Sequence, residues 1–250
     1  MNRSSAQPRE NTLTKQATHE LLYQGSGKNL YQIDRPEFLI QEFKSTASAD
    51  GKKKTKVKII GTLKNDISSY LFEYLEGFHI PTHFVKRVSD TEMMVKRLEI
   101  IPIIIKIFNV AVGQMSKRFF VKEGSSLTFP IIEHFYKNTD LGNPWINEFH
   151  VYAFNLASPE EFRILNRLAS KVNAVLRAFC ERREMILAAA MLEFGRHKGQ
   201  IILGDELSPA TLTFWDRPHG SKMNRDAFRP DRPDAEEILT DLRNRIQRKA

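Results

Sequence analysis

Three carboxylates close two neighbouring apolar runs in the second half of the chain. Glu193 lies in Leu192-Glu193-Phe194-Gly195, and Asp205 and Glu206 follow Ile201-Ile202-Leu203-Gly204 and lead into Leu207-Ser208-Pro209. Two short strands joined by a turn over 196–200 would set these carboxylates side by side. Oxygen ligands of this kind suit Mg²⁺, which takes one or two carboxylates and leaves its other positions to water and phosphate oxygens.

A second segment with chemical potential is Gly25-Ser26-Gly27-Lys28. It is not a Walker A loop, because Leu22 stands where the first glycine is needed and Asn29 where a Ser or Thr is needed. A glycine-rich hairpin can nonetheless lie over phosphates with its lysine reaching them. Taken alone, these four residues fit an ordinary hairpin turn better. A single cysteine and the absence of any CxxC argue against zinc. His83 lies in an apolar stretch and reads as a satisfied core residue. Cys180 sits beside an apolar helix stripe and reads as a buried, inert thiol. No Gly-x-Ser-x-Gly elbow is present, which disfavours covalent hydrolysis.

These groups need a scaffold, and the pattern supplies one. Leu22-Tyr23-Gln24 and Leu30-Tyr31-Gln32-Ile33 flank the glycine turn as hairpin strands. A further strand is predicted over 39–43. Asn65 or Asp66 is a candidate cap for a helix carrying Ile67, Tyr70, Leu71, Tyr74 and Leu75 at helical spacing, with Gly77 as its stop. Segments 80–88 and 93–110 are β-rich, the second broken at Pro102. Ser158-Pro159-Glu160-Glu161 is a helix start, with a capping serine, a first-turn proline and a glutamate three residues after the cap. Phe162, Leu165, Leu168, Val172, Val175 and Phe179 then form one stripe. Strands over 185–194 and 201–203, a Pro-, Asp- and Arg-rich loop over 217–233, and a helix over 235–248 with Ile238, Leu242 and Ile246 on one face complete the chain. The expected class is α+β, with two lobes and a cleft between them.

The 250 residues suffice for a full core, and 41% hydrophobic with 27% charged residues is ordinary for a globular protein. No window approaches the ~18 uncharged apolar residues of a membrane span. The first 16 residues are polar and lack the apolar core of a signal peptide. The single cysteine excludes an internal disulfide framework and fits a reducing cytoplasm. A net charge of +8 points towards anionic ligands. The densest basic run, Lys52-Lys53-Lys54 with Lys56 and Lys58, has no aromatic residue near it between Phe43 and Tyr70. That favours a solvated or phosphate-facing loop over a nucleic-acid surface, which would interleave such charges with stacking rings.

Taken together, collinear segments identify a family. They are Leu22-Tyr23-x-Gly25-x-x-Lys28-x-x-Tyr31, Glu42-Phe43-Lys44, Phe72-Glu73-Tyr74-Leu75, Ile80-Pro81-Thr82-His83-Phe84 and Ser89-Asp90-Thr91-Glu92. Asn109-x-Ala111-x-Gly113, Asn147-Glu148, Leu192-Glu193-Phe194-Gly195, Asp205-Glu206-Leu207-Ser208-Pro209 and Trp215-Asp216 follow in order. The chain resembles the phosphoribosylaminoimidazole-succinocarboxamide synthases (SAICAR synthetases) of purine biosynthesis over most of its length. The resemblance implies a two-lobed fold with ATP in the cleft: a tail over 1–18, a β-rich nucleotide lobe over 19–105 and an α+β substrate and metal lobe over 106–250. It implies Mg²⁺-assisted ligation of carboxyaminoimidazole ribotide to L-aspartate through an acyl phosphate, in the cytoplasm, without nucleic acid or membrane, and it is compatible with a homo-oligomer. By position, Lys28 would touch ATP phosphates, Ile100 and Ile101 would meet adenine through their backbone, Glu193 and Asp205 would hold Mg²⁺, and Arg229 would contact substrate. Phe108, Met191, Ala210 and Thr213 stand where the family's pattern carries charge. They motivate an alternative: a relative ligating a different carboxylate and amine, or one that binds nucleotide without catalysis.

Overall fold

Two antiparallel sheets carry the chain, which passes from one to the other at Arg97 and Leu98. The computed structural model describes residues 20–25, 27–44, 54–217, 222–223 and 234–248. The first sheet contains β1 (Glu20–Gln24), β2 (Lys28–Gln32), β3 (Phe38–Phe43), β4 (Phe84–Arg87) and β5 (Glu92–Lys96), in the order β1-β2-β3-β5-β4. Helix α1 (Lys54–Glu76) backs it through Leu63, Ile67, Leu71 and Leu75, all buried. The second sheet is built from β6 (Glu99–Val110), β7 (Ser126–Tyr136), β8 (Trp145–Ile146), β9 (Met185–His197), β10 (Gln200–Leu203), β11 (Leu212–Asp216) and β12 (Lys222–Met223). Its order is β12-β11-β9-β6-β7-β8, with β10 paired to β9. Helices α2 (Gly113–Arg118), α3 (Glu148–Ala153), α4 (Pro159–Glu181) and α5 (Ala235–Gln247) complete the α+β architecture.

The period of two along β6 decides which residues face the cleft. Ile103, Ile105 and Ile107 are buried in the core that α4 closes with Phe162, Leu165, Ala169, Val172, Leu176 and Phe179. Asn109 on the same face exchanges side-chain hydrogen bonds with Asn173 of α4, at 2.8 and 2.9 Å. Ile104, Lys106 and Phe108 point the other way. The α4 start is the predicted one: Ser158 Oγ accepts from the Glu161 amide at 3.2 Å, and the Ser158 amide donates to Glu161 Oε2 at 2.8 Å.

Two expectations need correction here. Asn65 does not cap a helix, because α1 begins eleven residues earlier, at Lys54. The Asn65 amide instead ties the helix to the β4–β5 turn, donating to the carbonyls of Ser89, Asp90 and Glu92 at 3.0–3.2 Å. Pro102 does not break β6. The pairing with β9 is irregular between Ile100 and Ile104, which accommodates the missing proline N–H, and the Pro102 carbonyl accepts from the Lys137 amide at 2.9 Å. The short helices α2 and α3 were not anticipated, having too few residues to display a period. The predicted loop over 217–233 lies almost wholly outside the described residues, as does the N-terminal tail.

The seam between the sheets leaves no room at Gly195. A Cβ there would lie 2.7 Å from Leu98 Cβ and 2.9 Å from the Glu99 carbonyl oxygen. Gly195→Ala is therefore expected to cost about 1–3 kcal/mol, the range for overpacking a rigid site. Urea unfolding checks this; an unchanged midpoint would mean that the seam yields.

Candidate functional site

The loop after β10 is held from both sheets and from α1. The Leu203 amide donates to the Pro81 carbonyl at 2.9 Å and the His83 amide to the Leu203 carbonyl at 2.8 Å, so a parallel bridge at Thr82 and Leu203 joins the two halves. The Gly204 amide donates to the Glu193 carbonyl at 2.9 Å. Gln41 Nε2 of β3 donates to the Asp205 carbonyl at 3.3 Å, and the Leu207 amide donates to Ser68 Oγ of α1 at 3.0 Å. Asp205 adopts φ +63°, a left-handed conformation that Asp tolerates better than most residues. An aspartate held in this sparsely populated region by four surrounding elements marks a site where side-chain direction matters.

Around this loop the chain concentrates charge in its interior. Lys28 pairs with Asp205 and lies 3.5 Å from Glu206. Lys137 pairs with Glu193. Lys64, Glu193 and Glu206 are each under a tenth exposed. Ser208 Oγ donates to Glu206 Oε2, and Thr211 Oγ1 donates to the Glu206 carbonyl at 2.8 Å. Burial pushes the Lys28 ammonium down, against the pull of Glu206 and Glu193. Burial also works against the Glu206 charge, but Lys28, Lys64 and the Ser208 hydroxyl outweigh it and hold that carboxyl below its usual range. Buried charges on this scale persist only when paired. Three lysines and three carboxylates here balance in formal charge.

His83 borders this cluster and is not the satisfied core residue expected. Its ring meets Phe72 edge-on, and its buried Nε2 has no hydrogen-bond partner among the described residues. Burial, with Lys28 and Lys96 nearby, lowers its pKa to about 3. Cys180 behaves as anticipated: it is wholly buried, and burial pushes its thiol up to about 12.

Beyond the cluster, one sheet face continues as a floor. Cross-strand pairs put Glu193 beside Ile104, Met191 beside Lys106 and Ala189 beside Phe108, with Thr213 next to Ala189. On the other flank, Phe135, Glu133 and Ile131 of β7 pair with the same three β6 residues. The floor is charged near Glu193 and Lys137, mixed at Lys106 and Glu133, and apolar at Phe108, Ala189 and Ile131. Phe108 is fixed there by Ala111, Met115 and Leu127. A separate cavity of about 810 Å³ lies between the end of α1, α4 and the β9–β10 hairpin, lined by Glu76, Arg167, Arg196 and Gln200 among others. It does not contain the carboxylate cluster, and two of its charged groups are already engaged, Arg196 with Glu161 and Glu99, and Glu76 with Thr82. The buried charges make the first location the candidate site.

Lys28, Glu193 and Asp205 thus meet in one cluster. Ile100 and Ile101 lie on β6 at the seam, Ile100 paired with Gly195 and exposed, Ile101 wholly buried. Arg229 lies outside the described residues. Lys64 and Lys137 were missed by sequence reasoning. A lysine within the buried stretch of α1 was the available signal for the first; nothing local marks the second. Glu193 and Asp205 suit a hard divalent cation completed by water or phosphate oxygens. Among the described residues no three His, Cys, Asp or Glu side chains gather into a protein-built metal cage.

Comparison with known proteins gives the family. The SAICAR synthetase family model matches residues 21–245. The phosphoribosylaminoimidazole-succinocarboxamide synthase of Persephonella marina is 42% identical over 231 residues, which is 92% of this chain and 97% of that protein. The enzyme of the same name from Coprothermobacter proteolyticus is 42% identical over 229 residues, 91% and 97% of the two chains. The crystal structure of the Ehrlichia chaffeensis synthase superimposes with a TM-score of 0.83 at 30% identity, covering 92% of this chain and 100% of that one. A SAICAR synthetase solved in complex with ADP gives a TM-score of 0.81 at 34% identity, covering 90% and 97%. No helix among the described residues is long and apolar enough to cross a membrane.

Proposed function

The chain belongs to the SAICAR synthetase family of ATP-dependent ligases, and from that premise we propose that it joins carboxyaminoimidazole ribotide to L-aspartate through an acyl phosphate. A carboxylate is a poor acyl donor. Its oxygen attacks the γ-phosphorus of ATP, the bond to ADP breaks, and the resulting acyl phosphate carries a good leaving group. The aspartate amine then attacks the carbonyl carbon, phosphate departs, and the nitrogen releases a proton to give the amide. Two charged reactants and a triphosphate repel one another, so the chain must supply positioning and countercharge.

The observation that carries this reading is the buried meeting of Lys28 with Glu193 and Asp205 beside the glycine turn. Lys28, released from Asp205, reaches phosphate oxygens in the cleft between the sheets, and Ile100 and Ile101 offer seam backbone to the adenine edge. Glu193 and Asp205 would hold Mg²⁺, which when bound neutralises charge on the phosphates. Lys137, paired with Glu193 at the head of the floor, directs the incoming carboxylate towards the phosphates. A related synthetase solved in complex with ADP supports nucleotide binding by this chain.

Mass-spectrometric detection of the succinocarboxamide product, from purified protein with Mg²⁺-ATP, carboxyaminoimidazole ribotide and aspartate, tests the proposal. Product formation is expected; its absence from folded protein, with a family enzyme as positive control, would remove it. A second reading, ligation of a less anionic carboxylate, rests on the apolar end of the floor at Phe108, Ala189 and Ile131. It requires that ADP be released with an aryl carboxylate that carries no phosphate group and not with the ribotide.

A further inference from the structure

We propose that Lys64 is a second phosphate-binding cation of the nucleotide site, delivered from α1 to the glycine turn. This inference rests on the reading that nucleotide phosphates lie at that turn. The turn closes through the Gly25 amide and the Lys28 carbonyl at 2.9 Å, and Lys44 fastens it by donating to the Gly25 carbonyl at 2.6 Å and the Gly27 carbonyl at 2.9 Å. A Cβ at Gly27 would stand 3.7 Å from Glu206 Oε1 and 3.9 Å from Lys64 Nζ. The side of Gly27 that a Cβ would occupy therefore faces Lys64 and Glu206, and Glu206 is also the carboxylate 3.5 Å from Lys28. Lys64 reaches this point because Ser68, one helical turn further along α1, accepts the Leu207 amide and fixes that helix face against the loop. Its buried ammonium acts electrostatically on Glu206. A polyphosphate entering under the turn meets Lys28 from the strand and Lys64 from the helix.

The test must separate phosphate binding from neutralisation of Glu206. Removing one member of a buried pair destabilises, whereas removing both is far milder. Lys64→Met is therefore made both in the natural chain and in the Glu206→Gln background, and ADP and adenosine are titrated by calorimetry with Mg²⁺ present. Lys64→Met is expected to weaken ADP about ten- to a hundredfold in both backgrounds, the loss of one charge-assisted contact, and to leave adenosine unchanged. Lys64→Arg is expected to restore most of the ADP affinity. Equal ADP affinity with and without Lys64 in the Glu206→Gln background would overturn the proposal, as would an equal loss for adenosine. If the natural chain binds no ADP, the nucleotide reading itself fails and the proposal goes with it.

Discussion

Asp205→Asn is expected to lower ATP-dependent turnover by on the order of 10³, while ADP binding in the absence of metal changes little. Asparagine is the right probe because residue 205 sits at φ +63°, where Asn is tolerated and alanine would add backbone strain. The substitution keeps size and removes one negative charge from a site that would hold a divalent cation with Glu193. A metal ion's stabilisation of a transferring phosphoryl group is worth several kcal/mol, and about 4 kcal/mol corresponds to roughly 10³ in rate. The variant also frees Lys28 from its closest carboxylate, which favours phosphate contact and offsets some of the metal loss in binding but not in turnover. Steady-state kinetics across a Mg²⁺ series would show it. Turnover within threefold of the natural chain would exclude Asp205 from the metal site.

The second large effect concerns acid stability. His83 has a folded pKa of about 3, because burial, with Lys28 and Lys96 nearby, opposes its charge. In the unfolded chain a histidine titrates near 6.5. Between these values the unfolded chain binds a proton that the folded chain refuses. The residue therefore costs nothing above about pH 6.5 and removes stability progressively as pH falls towards 3, about 1.4 kcal/mol per unit and roughly 5 kcal/mol in all. From about pH 7 to about pH 5.5 the loss is about 1.2 kcal/mol, in a window where most carboxylates do not yet titrate. His83→Leu, which removes an Nε2 without a hydrogen-bond partner among the described residues, should flatten the dependence of unfolding free energy on pH by that amount. Parallel slopes for the two chains would show that His83 accepts its proton while folded.

Much of the architecture was legible because it depends on local pattern. The α4 start was written in Ser158-Pro159-Glu160-Glu161, since a capping box satisfies helix-end donors with side chains three residues apart. The β1–β2 and β9–β10 hairpins followed from short apolar runs on either side of a glycine-containing turn. The α1 start was misplaced because Asn65 is equally suited to cap a helix or to hydrogen-bond loop carbonyls; the β4–β5 turn, distant in sequence, decided between these. Pro102 was misread for a similar reason, since a strand tolerates proline where its pairing is already irregular.

By itself the sequence determined the α+β class, the family, and the residue types available for chemistry: Lys28, Glu193 and Asp205. Those follow from motifs and periods read along the chain. Only the tertiary structure decided that Lys64 and Lys137 join them, that His83 Nε2 beside them has no hydrogen-bond partner among the described residues, and that the cleft floor passes from charged at Glu193 to apolar at Phe108. Such facts depend on which strand and helix faces oppose one another. Lys28 and Asp205 stand far apart along the chain, and only the bridge at Thr82 and Leu203, with α1 packed against the loop, brings their charges into one buried cluster.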